Sequence, residues 1–518
     1  MENNRFVIKT ALAVALGGFL FGFDAVVISG VNGYINTLFD LTPGQLGFAV
    51  ASLTLISTVT MFLAGPLSDR YGRRMVLAVG AIAYAISALG SSLAVNYPMF
   101  LAFRMLGGVG VGASLVLGPL YIAEISPARL RGRMVSFNQL NIVIAFTVAY
   151  FTNLLIRNLS VSGASWVETI GMDTDPWRWM LALEVLPAVL FFGALLFVPE
   201  SPRWLIMKGR EDEGLDILTK ANGEAGGKEE LDNIKKSLEE EANSPKPSLG
   251  EIFKPALRMI LMIGIIVGVL QQITGINSVF FYANMIFEQS GIGENASFTQ
   301  AVFVGIINLV FTLVAMALID RMGRRPLMII GTAGVTVSML FLAFQFGQAT
   351  YQISDTSVQQ LNPEMQTAVA PLIGQSFDND VSFKQALRDT LGDKVARDNE
   401  SALISAGIET NPMLVLFGIL FFVASFAISL GPVMWVLLSE MFPNRIRGIM
   451  ISFVAGINSA VSFLVQQVFP WELQNLGTSM TFLIYGIFGL IGLLLVLRLL
   501  PETKGKSLEE LEAELVKS

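Results

Sequence analysis

The chain has 518 residues, 53% of them hydrophobic and 14% charged, against roughly 45–50% and 25% in soluble domains, which excludes an ordinary soluble globular protein. It has no cysteine and no histidine, which excludes disulfides, thiolate chemistry and Cys/His metal sites. The formal net charge of −7 says little about partners, but any proton handled near neutral pH must sit on a carboxylate, because histidine is absent.

Crossing a hydrocarbon core of ~30 Å takes about 20 mainly apolar residues of helix. Blocks of that length predict spans at 8–32, 46–66, 75–95, 98–122, 134–156 and 178–198. Six more follow at 256–287, 299–319, 326–348, 412–438, 449–469 and 479–499. The chain therefore reads as an all-α membrane protein of twelve transmembrane helices. Arg5 and Lys9 precede the first block as in a signal peptide. The block itself holds Asp24 and shows no convincing small-residue cleavage site, so it reads as an uncleaved first helix.

Lys and Arg mark the cytoplasmic connections. Arg70, Arg73 and Arg74 follow the second span, and Arg129, Arg131 and Arg133 the fourth. Arg203, Lys208 and Arg210 follow the sixth, Arg321, Arg324 and Arg325 the eighth, and Arg445 and Arg447 the tenth. The first, third, seventh and eleventh connections carry none, so both termini are expected in the cytoplasm. The expected domains are a six-helix bundle over 1–198 and a cytoplasmic linker with short helices over 199–255, Lys228 to Ala242 among them. A second six-helix bundle over 256–499 and a cytoplasmic tail over 500–518 follow, the tail holding a short helix at EELEAEL. The second bundle carries an extracytoplasmic insertion at 349–411, with nine acidic residues against four basic ones. A solvated cap is the simple reading of that insertion, and a substrate-selecting lid the alternative.

Internal repeats are the most specific organisational signal. DRYGRR at Asp69–Arg74 recurs as DRMGRR at Asp320–Arg325, and EISPARLRG at Glu124–Gly132 recurs as EMFPNRIRG at Glu440–Gly448. PESPRWL at Pro199 recurs as PETKG at Pro501. Two related six-helix halves explain this. The glycine of DRxGRR permits a tight turn, and its arginines can pair with acids at the membrane surface. Asp69, Arg73, Glu124 and Arg131, mirrored by Asp320, Arg324, Glu440 and Arg447, are expected to latch the halves on one side and to bias two states. Topology anchoring by the arginines alone is the competing reading.

Neutral hydrogen-bonding side chains inside apolar spans suit a ligand rich in hydroxyls, since amides both donate and accept and an aromatic face covers C–H surface. QQITGIN supplies Gln271, Gln272 and Asn277 inside the seventh span, around an expected helix break near Gly275. Plain helix–helix hydrogen bonding is the alternative. Asp24 lies near the middle of the first span, where a lone carboxylate costs roughly 2.5–3.5 kcal/mol. Arg104 and Glu184 are the other interior charges of that half, and the three are placed to form one buried network. GGVGVG at Gly107 lies inside a span and reads as close helix packing. No nucleophile–base arrangement, phosphate loop or metal set accompanies the buried amides, so an enzyme is not expected, nor a cofactor.

In order along the chain, DRYGRR, YIAEISPAR followed by LRGR, PESPRWL, QQITGIN, GPVMWVLLSEMFPNRIRG and PETKG resemble the sugar porters of the major facilitator superfamily over nearly the whole length. The resemblance is to bacterial xylose–proton symporters and their glucose-facilitator relatives. It implies the major facilitator fold, two pseudo-symmetric six-helix bundles alternating access to a central sugar site. It further implies that Gln139, Gln271, Gln272 and Asn277 contact the sugar, that Asn308 and Asn458 add polar positions, and that Trp435 lies beneath the ring. Phe21, Phe281 and Tyr282 match aromatics that line or close the site. Phe146 stands where family members commonly carry a second glutamine, and Ser459 where a tryptophan is often found; both reshape the pocket.

In xylose–proton symporters the aspartate matching Asp24 takes the proton beside an arginine matching Arg104, whereas passive facilitators commonly have a neutral residue there. Proton symport is therefore expected, with a static ion pair, sodium coupling, a passive facilitator and a polyol or inositol carrier as alternatives. A sugar sensor is a further class, but only 17 residues follow Pro501. The expected partners are a monosaccharide, a proton and the lipid bilayer, with no nucleic acid, for a chain acting as a monomer in a bacterial inner membrane.

Overall fold

A computed structural model describes residues 4–243, 248–443, 445–506 and 510. Among them, twelve helical segments are long and apolar enough to cross a membrane. In chain order, spans 1 to 6 are Asn4–Leu38, Pro43–Tyr71, Arg73–Ser92, Tyr97–Ile125, Ala128–Ser160 and Pro176–Phe197. Spans 7 to 12 are Pro255–Phe281, Glu294–Met322, Arg324–Gly347, Pro412–Met441, Arg447–Asn475 and Thr478–Leu499. Every predicted span overlaps one of them, and most run longer than the apolar block that announces them. Span 5 begins at Ala128 because the N–H groups of Leu130 and Arg131 reach back to the Pro127 carbonyl. This carries the basic run into the first turns of the helix. Between spans 3 and 4, Asn96 caps the next helix by accepting from the Met99 N–H at 2.9 Å, with Pro98 in the first turn. This is preferred N-terminal chemistry.

Three spans are interrupted. Span 6 consists of helices Pro176–Ala182 and Val185–Phe197, which meet at Glu184. Span 7 breaks at Gly275, whose φ of 88° is left-handed. The break separates Arg258–Ile273 from the short helix Ile276–Phe281, and a further turn, Ala283–Glu288, follows. A side chain at Gly275 would also collide with the Tyr485 ring, so two independent constraints require glycine there. Span 10 breaks between Pro412–Ala427 and Leu430–Met441, where the Ser429 hydroxyl donates to the Ser425 carbonyl at 2.6 Å.

The chain divides into two compact units. The first comprises described residues within 1–25, 52–149 and 178–248, and the second those within 26–51, 150–177 and 249–518. These units do not follow the sequence halves, since spans 1 and 5 each contribute residues to both. The first unit is built on an apolar core that includes Val14, Tyr84, Leu117, Tyr121 and Phe191. In the second, the insertion over 349–411 has an apolar cluster of its own around Ile353, Val369, Phe383 and Leu403. Three very short antiparallel strands lie against that cluster. β1 (Thr350–Gln352) sits between β2 (Ser376–Phe377) and β3 (Ile408–Glu409), with Tyr351 opposite both Phe377 and Ile408. In the linker, helix Glu211–Asn243 includes the stretch expected from Lys228 and kinks at Gly223. The helix expected at EELEAEL lies, apart from Glu510, outside the described residues.

Candidate functional site

The repeated motifs build the same cluster twice, once in each unit. In the first unit Arg73 forks onto Glu124 with two bonds of 3.2 Å and pairs with Asp69 at 2.8 Å. In the second, Arg324 forks onto Glu440 at 3.0 and 2.7 Å and reaches Asp320 at 3.2 Å. Arg131 and Arg447 stand apart from these forks. Each lies in the first turns beyond a proline and donates Nε to a carbonyl at the end of the preceding helix, Ala123 at 3.0 Å and Phe442 at 3.1 Å. Such carbonyls lack intrahelical partners and favour a cation. Arg131 also pairs with Glu230 of the linker at 3.2 Å.

The sequence reading assigned no role to Glu200 and Glu502, yet each completes its cluster. Glu200 accepts the backbone N–H groups of Arg73, Arg74 and Ser201 at 2.8–3.1 Å. Glu502 accepts those of Arg324, Arg325 and Lys504 at 2.8–3.2 Å. Each carboxylate thus sits at the start of the helix after DRxG, against its exposed N–H groups. Gly72 and Gly323, with φ of 102° and 95°, leave room for it, because a Cβ on either would strike the carboxylate. The neighbouring hydroxyls, Ser201 and Thr503, donate to Glu124 and Glu440. The signal was present in the sequence as the shared PE-S/T of PESP and PETK.

Asp24, Arg104 and Glu184 do come together, inside the first unit. Arg104 donates Nη1 to Asp24, and all three residues are at most 2% exposed. Tyr84, which the sequence reading did not single out, donates to Glu184 at 3.0 Å and contacts the Leu20 carbonyl at 3.2 Å. Glu184 lies where the two helices of span 6 meet. The cluster counts two carboxylates to one guanidinium. A buried carboxylate without compensation is costly, and one proton balances the set.

The amides lie in the second unit and form one continuous network across the span 7 break. Asn277 donates to the Gln272 carbonyl oxygen at 2.8 Å and to Ser462 at 2.6 Å. Gln272 donates to Asn458 at 3.2 Å. Asn458 in turn donates to Gln271 and to the Gly268 carbonyl, both at 2.8 Å. Gln271 donates to the Leu430 carbonyl at 2.9 Å, tying the network to the break in span 10. Five residues later Trp435 is exposed, while Asn308 is buried on span 8. Phe281 is buried, and its carbonyl accepts from Asn32 at 2.8 Å; the Phe280 carbonyl accepts from Tyr150 at 2.9 Å. Tyr282 is wholly buried, its hydroxyl donating to the Gln466 carbonyl at 2.9 Å and its ring against Phe469. It therefore packs span 7 onto span 11. In the first unit Gln139 is exposed on span 5, and Phe21 packs partly buried against the core.

The network thus offers neutral donors and acceptors and no charge. Among the described residues no group of carboxylates is arranged to hold a metal ion.

The model of the family "Sugar (and other) transporter" matches residues 10–362 and 399–515. The arabinose-proton symporter of Bacillus subtilis is 36% identical over 512 residues, covering 98% of this chain and 94% of that one. The D-xylose-proton symporter of Escherichia coli is 34% identical over 544 residues, with 99% and 96% covered. Among solved structures, the inward-open xylose transporter XylE of E. coli superposes with a TM-score of 0.74 at 31% identity, over 98% of this chain and all of that one. With the family model matched over most of the chain and relatives of this identity along its whole length, the chain belongs to the sugar transporter family of the major facilitator superfamily.

Proposed function

We propose that this protein moves a monosaccharide, a pentose or hexose, across the cell membrane together with a proton. The observation that carries the reading is the Asp24–Arg104–Glu184 cluster: two carboxylates facing one guanidinium, buried in a family whose relatives include proton symporters of arabinose and xylose. Protonating Asp24 removes half of its ion pair with Arg104 and leaves Arg104 to Glu184. That changes which arrangement of span 1 is favoured, and a ligand or proton shifts a conformational equilibrium only by such a difference. The sugar is read as bound by Gln271, Gln272, Asn277 and Asn458 with Gln139, Asn308 and Trp435, and with Phe21 and Phe281 at its margin. Each amide gives up one of its present partners to a sugar hydroxyl. Tyr282 acts from behind the site by fixing the half-helix on which Phe281 sits.

Alternating access by two six-helix bundles, 1–198 and 256–499, accounts for the paired clusters of Arg73 and Arg324. Their breaking and remaking biases the two states, with both termini and the 199–255 linker cytoplasmic and one chain as the working unit. The bonds of each cluster stay within its own compact unit, so each is read as clamping the ends of its own spans. The test is uptake of labelled L-arabinose, D-xylose and D-glucose into proteoliposomes, with and without an inward proton gradient. Gradient-driven accumulation that disappears in Asp24→Asn while sugar exchange persists supports symport. Equilibration indifferent to both gradient and substitution identifies a passive facilitator and leaves Asp24 as a structural charge.

A further inference from the structure

Beyond the amides, one carboxylate in the second unit has no part in the proposed mechanism. Glu472 lies half-buried near the end of span 11 and accepts a hydrogen bond from the Tyr485 hydroxyl of span 12 at 2.8 Å. The ring of Tyr485 is buried and occupies the space that a side chain at Gly275 would need. It also stacks on Phe469, which in turn packs on Tyr282 just beyond the break. The same hydroxyl lies 3.4 Å from the Ser278 hydroxyl, on the short helix Ile276–Phe281. Tyr485 thus joins two groups. One is a carboxylate on span 11, outside the hinge, to which its hydroxyl donates; the other is the Ser278 hydroxyl on the hinge segment itself, close enough to donate to the phenol oxygen. Glu472 therefore fixes the direction of the phenol O–H and leaves its oxygen to accept from Ser278.

We propose that Glu472 and Tyr485 are a positioning pair for the span 7 hinge, setting the geometry in which Gln272 and Asn277 face each other across the break. Neither residue touches the sugar in this scheme. The half-helix carries Asn277 and Phe281, so its orientation fixes where one amide and one aromatic edge of the site lie. Without Glu472 the phenol loses its anchor on span 11, and the half-helix it meets through Ser278 is held less firmly. For the effect on sugar affinity the inference rests on the transport reading; for the effect on the hinge it does not.

The experiment has two readouts on the full-length protein in lipid nanodiscs and proteoliposomes. Tyr485→Phe keeps the ring and removes only the hydroxyl; Glu472→Leu removes the acceptor; Glu472→Gln retains an acceptor oxygen. Amide hydrogen exchange over residues 276–282 without sugar is expected to quicken in Tyr485→Phe and Glu472→Leu and to stay near wild type in Glu472→Gln. The KM for the transported pentose is expected to rise roughly tenfold in the first two variants, the loss that goes with one buried hydrogen bond, while Vmax changes less than about twofold. The double variant Glu472→Leu/Tyr485→Phe is expected to be no worse than the worse single one, since both remove the same bond. Unchanged exchange and KM in Tyr485→Phe, or additive losses in the double variant, would overturn the pair. A wild-type protein that transports no monosaccharide would sink the transport reading alone, because exchange at the hinge still decides the positioning claim.

Discussion

The two units bury their polarity in opposite ways. The first places Asp24, Arg104 and Glu184 together at no more than 2% exposure, so its interior carries formal charge. The second gathers Gln271, Gln272, Asn277 and Asn458, which carry none, and ties each to another by bonds of 2.8–3.3 Å. Charge is expensive to bury and responds to a proton; neutral amides cost less and respond to hydroxyl geometry. In the proposed scheme, driving force rests on charge in spans 1, 4 and 6 and recognition chiefly on neutral amides in spans 7 and 11. Each can therefore be attacked without touching the other.

Removing the cation strikes the charged side hardest. Arg104→Leu leaves Asp24 and Glu184 buried without compensation. Breaking a buried pair on one side typically costs about 3–5 kcal/mol, so the yield of folded protein and its thermal midpoint in detergent are expected to fall sharply. Adding Asp24→Asn to Arg104→Leu should recover a large part of the loss, because the double variant buries one carboxylate fewer. If the double variant is as unstable as Arg104→Leu, packing and not charge holds the cluster.

On the neutral side the loss is smaller and falls on affinity. Gln272→Leu orphans Asn458 Oδ1 and one bond of Asn277. An unmet buried polar group costs about 1–3 kcal/mol. A rise of roughly 10- to 100-fold in sugar KM is expected, with the dependence on the proton gradient retained. Gradient dependence lost together with affinity would mean that the two chemistries are not separable.

The membrane spans were legible because apolar length is a local property of the sequence: 20 or so residues either suffice or do not. The Gly275 break was legible too, from a glycine amid amides in an apolar run. Other features were not, and for physical reasons. Strands of two or three residues, as in the 349–411 insertion, leave no period to detect. Tyr84 and Tyr485 look like ordinary aromatic residues of spans 3 and 12, and only the fold shows the carboxylates that receive their hydroxyls. Arg131 and Arg447 were read with the acids by their motif. Their place just after a proline gives each a helix-end carbonyl, and Arg131 also takes an acid of the linker, Glu230. Glu200 and Glu502 were visible as a repeat, but their target is backbone, which has no letter in the sequence.

Glu502 offers a smaller effect with a defined sign. Burial pushes its pKa up, but backbone N–H donors from Lys504, Arg324, Arg325 and Thr503 outweigh this and hold it below the usual range. Its contribution to stability is therefore present above the usual value of 4.5 and lost as pH falls through the lowered one. Glu502→Gln is expected to lower stability only slightly at pH 7, because solvent screens so exposed a carboxylate. The gap should close on acidification, read from thermal midpoints at pH 7 and below pH 4. A gap that persists in acid would mean that Glu502 acts through shape and not through charge.

Glu288, in the connection between spans 7 and 8, should show the opposite sign. Burial first, then the neighbouring carboxylates Glu294 and Glu400, raise its pKa to about 8, against lowering by the Ser297 hydroxyl and by Arg157. Arg157 is largely committed elsewhere, pairing with Glu294 at 2.9 Å and donating to the Tyr34 hydroxyl at 2.8 Å. Lys384 is 3.3 Å from Glu400, and Arg397, which lines the same cavity as Glu288, pairs with Asp40. The folded protein therefore holds the Glu288 proton more tightly than the unfolded chain does. Between the usual 4.5 and about 8, each rise in pH favours unfolding. Glu288→Gln fixes the neutral form and should remove that slope. Wild type and variant are expected to match near pH 5, with the variant melting a few degrees higher near pH 8.5. Equal midpoints at both pH values would mean that Glu288 is ionised in the folded protein throughout. The carboxylates of this connection would then be better hydrated than their burial implies.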